Sequence, residues 1–125
     1  MNGITFDAGG LIALERNDRR VLSLIATALQ DGDRIVVPAT ALAQVVRNPP
    51  KQARLWRMVQ HEKTEVVPLD GSHAQAVGLL LAQTRTSDIA DAHVVICARR
   101  AGHAVITSDP FDLRRLDPRL RVISV

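Results

Sequence analysis

The chain has 125 residues, of which 46% are hydrophobic and 23% are charged. This length suits one domain with its own core, so we expect a single domain over residues 1–125. The composition excludes a disordered chain, and no apolar stretch approaches the roughly 20 residues of a membrane-spanning helix. The single cysteine, Cys97, excludes an internal disulfide and a zinc site built from cysteines. No secretory segment is visible, so the expected location is cytoplasmic.

The net charge of +3 permits a polyanionic partner without requiring one. Aromatic residues make up only 2% of the chain. This scarcity argues against the stacking platforms with which sheet-based modules bind single-stranded RNA. Any RNA bound by this chain would therefore be held mainly through its phosphate charge and a shaped groove.

Short apolar runs rich in β-branched residues alternate with segments of helical periodicity. We predict strands at residues 3–6, 34–37, 65–69, 104–107 and 120–125. We predict helices at residues 18–30, 39–47, 51–60, 72–84 and 87–101, and a tight turn at Gly9-Gly10. This alternation predicts a three-layer α/β domain, in which helices flank a mostly parallel sheet of four or five strands.

Acidic residues stand where predicted strands end and where one predicted helix begins. Asp7 directly follows the first strand, and Asp109 follows the fourth. Asp88 and Asp91 are three residues apart near the start of helix 87–101, so they share one helical face. In a parallel sheet, strand carboxyl ends and helix N-termini lie along the same edge. We therefore expect these carboxylates to meet at one crevice.

Each of these acids also has a structural interpretation. Asp7 and Asp88 could cap helices, and Asp109 before Pro110 could be a turn or cap residue. Taken together, however, the acids have no cluster of basic residues beside them in the sequence, and such charge is unfavourable near a buried helix unless it is compensated. Mg²⁺ or Mn²⁺ would compensate it and could activate water against a phosphodiester.

Three segments resemble motifs of the PIN-domain ribonucleases, the family that includes the VapC-type toxins of VapBC toxin–antitoxin pairs. The family's opening strand and aspartate are similar to residues 4–9, ITFDAG. Its third acidic position, on a helix, is similar to Asp91 in residues 87–93, and its closing Thr-x-Asp to Thr107 and Asp109. The order of the motifs and the interval of 18 residues from Asp91 to Asp109 also resemble the family.

The resemblance implies a metal-dependent endoribonuclease that is the toxin of a type II toxin–antitoxin pair. Mg²⁺, with Mn²⁺ as a substitute, would be held by Asp7, Asp91 and Asp109, with Asp88 in support. Thr107 would orient Asp109 or the scissile phosphate. The implied partners are an RNA substrate, a VapB-like antitoxin and a second copy of the chain in a homodimer, and no membrane is involved.

The family's second acidic position corresponds to Gln44 in this chain, not to a glutamate. An amide can offer a carbonyl oxygen or hold a water, but it adds no negative charge. Gln44 could equally belong to an exposed polar stripe with Thr40 and Arg47. An alternative function is therefore a non-catalytic PIN-like module that binds RNA or protein. A phospho-acceptor receiver domain would need paired acids after the first strand, where only Asp7 stands.

The antitoxin would have two points of contact. An arginine from it could pair with the carboxylates of the acidic crevice. The apolar helix surface around Leu55, Trp56 and Val59 could bury the rest of the antitoxin segment.

The histidines at positions 73, 93 and 103 show no ligand-like spacing with the cysteine, so we expect them to have surface or core roles. Cys97 is expected to pack as a small apolar residue.

Overall fold

Five apolar segments form one parallel sheet in the computed structural model, which describes residues 3–125. The strands are β1 (Gly3–Phe6), β2 (Arg34–Pro38), β3 (Thr64–Val67), β4 (Ala104–Thr107) and β5 (Val122–Ser124). Their order across the sheet is β3-β2-β1-β4-β5, and all neighbouring strands are parallel. The chain starts at the centre, moves to one edge and returns to the other half. The topological switch point, where α/β sheets bind ligands, therefore lies between β1 and β4.

The described residues form seven α-helices, which connect the strands. They are α1 (Ala8–Glu15), α2 (Arg19–Gln30), α3 (Ala39–Val45), α4 (Ala53–Val59), α5 (Gly71–Thr84), α6 (Ile89–Ala101) and α7 (Pro110–Leu116). Helix α1 contacts α2, α3 and α4, whereas α5, α6 and α7 contact one another. Because crossovers between parallel strands are right-handed, the reversal after β3 places these two groups on opposite faces of the sheet. No helix within residues 3–125 is long and apolar enough to cross a lipid bilayer.

The core lies around the two central strands and α6. All residues of β1 and β4 are buried, as expected for strands covered on both faces. Helix α6 is buried from Ala92 to Ala98, which agrees with its nearly continuous apolar sequence. The edge strands β3 and β5 are more exposed. This packing fixes the ends of β1, β4 and α6 against one another.

The structure confirms the predicted fold class and the bounds of β1 and β4, but it corrects two connections. Gly9-Gly10 was expected to be a turn and instead lies within α1. A Cβ atom at Gly10 would collide with the carbonyl oxygen of Ile106, so glycine here permits α1 to approach β4 closely. Helix α7 was not predicted; it begins at Pro110, a residue favoured in a first helical turn.

Candidate active site

Asp7 lies at the end of β1 and caps α1. Its carboxylate accepts hydrogen bonds from the backbone N–H of Gly10 at 2.8 Å and from the hydroxyl of Thr107 at 2.5 Å. The residue is only 6% exposed. Burial raises the pKa of Asp7 above its ordinary value, even though both hydrogen bonds act to lower it; the charge of Asp109 raises it further. Asp7 is therefore a buried carboxylate that is held in a fixed orientation.

Thr107, at the end of β4, connects the first and last acidic motifs. Its hydroxyl donates to Asp7 and accepts a hydrogen bond of 2.9 Å from the backbone N–H of Asp109. A hydroxyl group can do both at once. The bond to Asp7 was not anticipated from the sequence. Through it, Thr107 fixes the relative positions of β1 and the segment that follows β4.

Asp88 and Asp91 bring two more carboxylates from the start of α6. Asp88 caps the helix, and its side chain accepts a hydrogen bond of 2.9 Å from the backbone N–H of Asp91. The pKa of Asp91 is raised to about 6, first by burial and then by nearby negative charges. Those charges belong to Asp88, Asp7, Asp112 and Asp109. The predicted convergence of acids from three segments is therefore present around Asp91.

Asp112 is a fifth acid that the sequence analysis missed. It lies in the first turn of α7, and its backbone N–H donates to Asp109 at 3.4 Å. A side-chain hydrogen bond with Asp109 and the charge of that residue raise the pKa of Asp112. The spacing of three residues between Asp109 and Asp112 is the signal that could have identified it. This spacing places two side chains on one face only in a helix, and α7 was not predicted.

A cavity of about 340 Å³ opens beside Asp91. Its lining consists of Arg85, Thr86, Ser87, Asp88, Asp91, Asp112, Arg115 and Leu116. The sequence indicated no basic cluster beside the acids, but in the fold Arg85 at the end of α5 and Arg115 on α7 share this cavity with Asp88, Asp91 and Asp112. Neither forms an ion pair with the acids; the ion pairs among residues 3–125 are His73–Asp70 and Arg99–Asp117.

Gln44 lies exposed on α3, one turn after Thr40. The hydroxyl of Thr40 is 2.7 Å from Nδ1 of His93, a residue of α6. Since residues four apart share a helical face, Gln44 is on the side of α3 that faces α6. It does not line the cavity beside Asp91, and its participation in the site stays a prediction.

The expected partner surface around Leu55, Trp56 and Val59 needs correction. Leu55 is fully buried, and Trp56 and Val59 are only partly accessible. An open apolar cavity of about 220 Å³ lies instead between α2 and α4. Its lining consists of Leu14, Leu22, Ile25, Leu29, Ile35, Arg54, Arg57, Met58 and His61. We call this feature the α2–α4 groove. Its accessible apolar side chains come largely from α2, which the sequence analysis did not consider.

The chain belongs to the PIN-domain family, whose model matches residues 4–117. PIN domains are generally nucleases that use divalent metal ions. This agrees with the carboxylates gathered around Asp91. No curated protein matches the sequence.

Solved structures with the same fold include chains of VapBC2, FitAcB and FitAB. A chain of VapBC2 from Rickettsia felis, bound to a promoter DNA fragment, has a TM-score of 0.72 at 12% identity, with 98% of each chain covered. FitAcB from Neisseria gonorrhoeae has a TM-score of 0.66 at 15% identity, over 97% of this chain and 96% of the other. FitAB bound to the IR36 DNA fragment has a TM-score of 0.66 at 16% identity, over 97% of this chain and 94% of the other. At these identities the likeness establishes the fold.

Proposed function

We propose that this chain is a metal-dependent endoribonuclease and the toxin of a type II toxin–antitoxin pair. The observation that supports the proposal most strongly is the grouping of five acids from the ends of β1 and β4 and the starts of α6 and α7, which together with burial raises the pKa of Asp91 to about 6. Such a concentration of negative charge is unfavourable unless a cation binds there. Carboxylate oxygens are the ligands that Mg²⁺ and Mn²⁺ prefer.

The residues present fit a hard divalent cation. Asp7 is buried and oriented by two donors, and no lysine or arginine within residues 3–125 forms an ion pair with it or with Asp91 or Asp109. We assign Asp7, Asp91 and Asp109 as metal ligands and Asp88 as a supporting carboxylate. When bound, Mg²⁺ would supply an activated water and stabilise charge on the scissile phosphate.

The other residues of the site have positioning and binding roles in this proposal. Thr107 holds Asp7 and the backbone of Asp109 in place. Arg85 and Arg115, in the cavity next to Asp91, offer positive charge to the phosphates of an RNA strand. Recognition of the RNA would rest on phosphate charge and cavity shape, because the chain has few aromatic residues.

The partners proposed for this chain are a VapB-like antitoxin and a second copy in a homodimer, in the cytoplasm. Antitoxin partners are suggested by the complexes in which chains of the same fold were solved. An antitoxin arginine could pair with the carboxylates around Asp91. Its apolar side chains could pack into the α2–α4 groove, where Arg54 and Arg57 would attract acidic residues of the same segment.

A second candidate function is a non-catalytic PIN-like module that binds RNA or protein. Gln44 favours it, because a neutral amide at this position leaves one negative charge fewer for a metal than the family pattern provides. The two candidates differ in one measurable property, which is the metal-dependent cleavage of RNA.

The deciding experiment is a cleavage assay on labelled RNA with the purified chain in Mg²⁺, in Mn²⁺ and in chelator. We expect cleavage with either metal and none with chelator. Asp91→Asn should remove the activity, and Asp31→Asn, at an exposed turn after α2, is the matched control that should retain it. No cleavage by the folded wild-type chain in either metal would support the binding module instead.

A further inference from the structure

A second group of potential metal ligands lies around α6, away from Asp91. One imidazole nitrogen each of His73 and His93 and the thiol of Cys97 lie within 4.8 Å of one another. His93 and Cys97 are four residues apart on α6, and His73 reaches them from α5. With about 100° per residue, His93 and Cys97 point about 200° and 240° around the helix from Asp91. The sequence showed no ligand-like spacing between the cysteine and the histidines at positions 73, 93 and 103, and the fold brings two of these three histidines to the cysteine.

His93 carries an unpaired buried nitrogen. The residue is fully buried, and its Nε2 has no hydrogen-bond partner within the described structure. Its Nδ1 is 2.7 Å from the hydroxyl of Thr40, which can accept the Nδ1 proton. The backbone of Pro68 also approaches the ring, without meeting Nε2 in hydrogen-bond geometry. In the tautomer in which Nδ1 donates to Thr40, Nε2 presents a lone pair, and such orphaned buried groups call for a partner.

His73 is oriented by a carboxylate, as metal-binding histidines usually are. Its Nδ1 lies 3.1 Å from Oδ1 of Asp70, the cap residue of α5. Nη1 of Arg100 is 3.4 Å from the same nitrogen. The shorter contact is to the acceptor, so Nδ1 donates its proton to Asp70 and Nε2 is the nitrogen available to a metal. Two imidazoles thus have Nδ1 engaged and Nε2 free to coordinate.

Cys97 completes the group and lies beside a route to solvent. It lines an open cavity of about 250 Å³ together with His73, Glu65 and Arg100. Burial raises the pKa of the Cys97 thiol to about 12, so an incoming ion must displace a proton. The charge of Arg100 opposes a dication here, whereas Glu65, Asp70 and a Cys97 thiolate would offset it.

We propose that His73, His93 and Cys97 form a binding site for Zn²⁺ or a similar transition-metal ion, separate from the carboxylates around Asp91. Two imidazoles and a thiolate are the ligands that Zn²⁺ prefers, whereas Mg²⁺ prefers oxygen. Glu65, in the same cavity, or a water would take the fourth position. The ion would join α5 to α6 and stabilise the folded chain. This site stands whether or not the chain is a ribonuclease.

The test uses the metal-free full-length chain and Co²⁺ as a spectroscopic substitute for Zn²⁺. We expect one thiolate-bound Co²⁺ per chain, seen as a thiolate-to-cobalt charge-transfer band that is lost when Zn²⁺ is added. Cys97→Ala should remove the band. Thr40→Val, which removes the partner of His93 Nδ1, should lower the Zn²⁺ affinity about 10- to 100-fold in competition with a chromophoric chelator. His61→Gln is the control that should leave both readouts unchanged, and Asp91→Asn should leave the thiolate band unchanged.

Two results would overturn the site. One is the absence of a thiolate band in the folded wild-type chain. The other is Zn²⁺ binding that survives Cys97→Ala but is lost in Asp91→Asn, which would place the ion among the carboxylates. Should Cys97→Ala fail to fold, His73→Gln on the more accessible α5 takes its place, with the fold checked by circular dichroism. Unchanged Zn²⁺ affinity in folded His73→Gln would also contradict the site.

Discussion

The hydroxyl of Thr107 donates a hydrogen bond of 2.5 Å to the carboxylate of Asp7, a residue 100 positions earlier in the chain. This bond crosses from β4 to the end of β1, at the switch point of the sheet. It acts to lower the pKa of Asp7 against the opposing effect of burial. A single hydroxyl thus affects both the position and the charge of the most deeply buried acid of the site.

Thr107→Val should therefore weaken Mg²⁺ binding with little change in shape. Without the hydroxyl, the pKa of Asp7 rises further and protons compete better with the metal. The lost hydrogen bond to a charged group should also cost about 1–3 kcal/mol of folding stability. Calorimetric titration with Mg²⁺ checks the affinity, and Thr27→Val on the exposed face of α2 is the matched control. Equal affinities in the wild type and Thr107→Val would contradict the role of this bond.

Asp7→Asn and Asp91→Asn should each abolish RNA cleavage and toxicity while the chain stays folded. Each change removes a carboxylate from the proposed metal ligands but keeps the shape of the side chain. The measurements are RNA cleavage by the purified variants and growth of cells that express them, with circular dichroism to verify the fold. Full cleavage by folded Asp91→Asn would remove Asp91 from the proposed ligands.

In the metal-free chain, Asp91 should lower the folding stability as the pH rises from about 4 to 6. Asp91 has a pKa of about 6 in the folded chain against an ordinary value of 3.8. Its contribution to folding stability is therefore complete below pH 3.8 and is lost as the pH rises past about 6. The expected loss is of the order of 2 kcal/mol. Urea unfolding in chelator across this range measures it.

Asp91→Asn should reduce this pH dependence and raise the stability of the metal-free chain at pH 7. Some dependence should persist, because the pKa of Asp7 is raised as well. Asp31→Asn should follow the wild type. Equal pH dependence in the wild type and in Asp91→Asn between pH 4 and 6 would mean that the pKa of Asp91 is not raised.

Gln44→Glu should tighten Mg²⁺ binding, because an added carboxylate attracts the cation where the amide does not. Calorimetric titration of both forms gives the comparison. Gln30→Glu, at the exposed end of α2, controls for the change in net charge. Unchanged or weaker binding in Gln44→Glu would show that this side chain points away from the carboxylates.

A protein encoded by the neighbouring reading frame should co-purify with this chain through a tag on either partner. Leu22→Glu, in the α2–α4 groove, should speed dissociation of that complex, because it places a charge among apolar side chains. Leu79→Glu is the matched control, since Leu79 is 66% exposed on α5, across the sheet. If nothing co-purifies and the chain alone does not slow growth, the toxin–antitoxin proposal fails, although the family assignment stands.

The parts of the fold that the sequence predicted well are those in which burial dominates. β1 and β4 are continuous apolar runs at the centre of the sheet, and their bounds agree with the prediction. Helix α1 was considered only as a helix that Asp7 could cap, because Gly9-Gly10 resembles a turn until β4 packs against it. Helix α7 is only seven residues long and begins with a proline, so its pattern is weak when read alone.

The candidate site also contains residues that the sequence predicted and residues that it did not. The meeting of Asp7, Asp88, Asp91 and Asp109 follows from parallel strands and helix polarity, which the sequence indicates. The sequence did not place Arg85, Arg115 and Asp112 at the site, because their positions depend on where α5 ends and on α7, which was not predicted. The group of His73, His93 and Cys97 was missed because its members were compared along the chain, whereas the packing of α5 against α6 brings them together.

Three of the acids around Asp91 are also helix caps. Asp7, Asp88 and Asp109 each accept a hydrogen bond from a backbone N–H three residues further on, at the starts of α1, α6 and α7. The positive ends of those helices act as permanent counterions within the protein. A newly made chain can therefore fold before it meets any ion and then lose and regain that ion without refolding. Its activity would follow the supply of metal in the cell, while its shape would not.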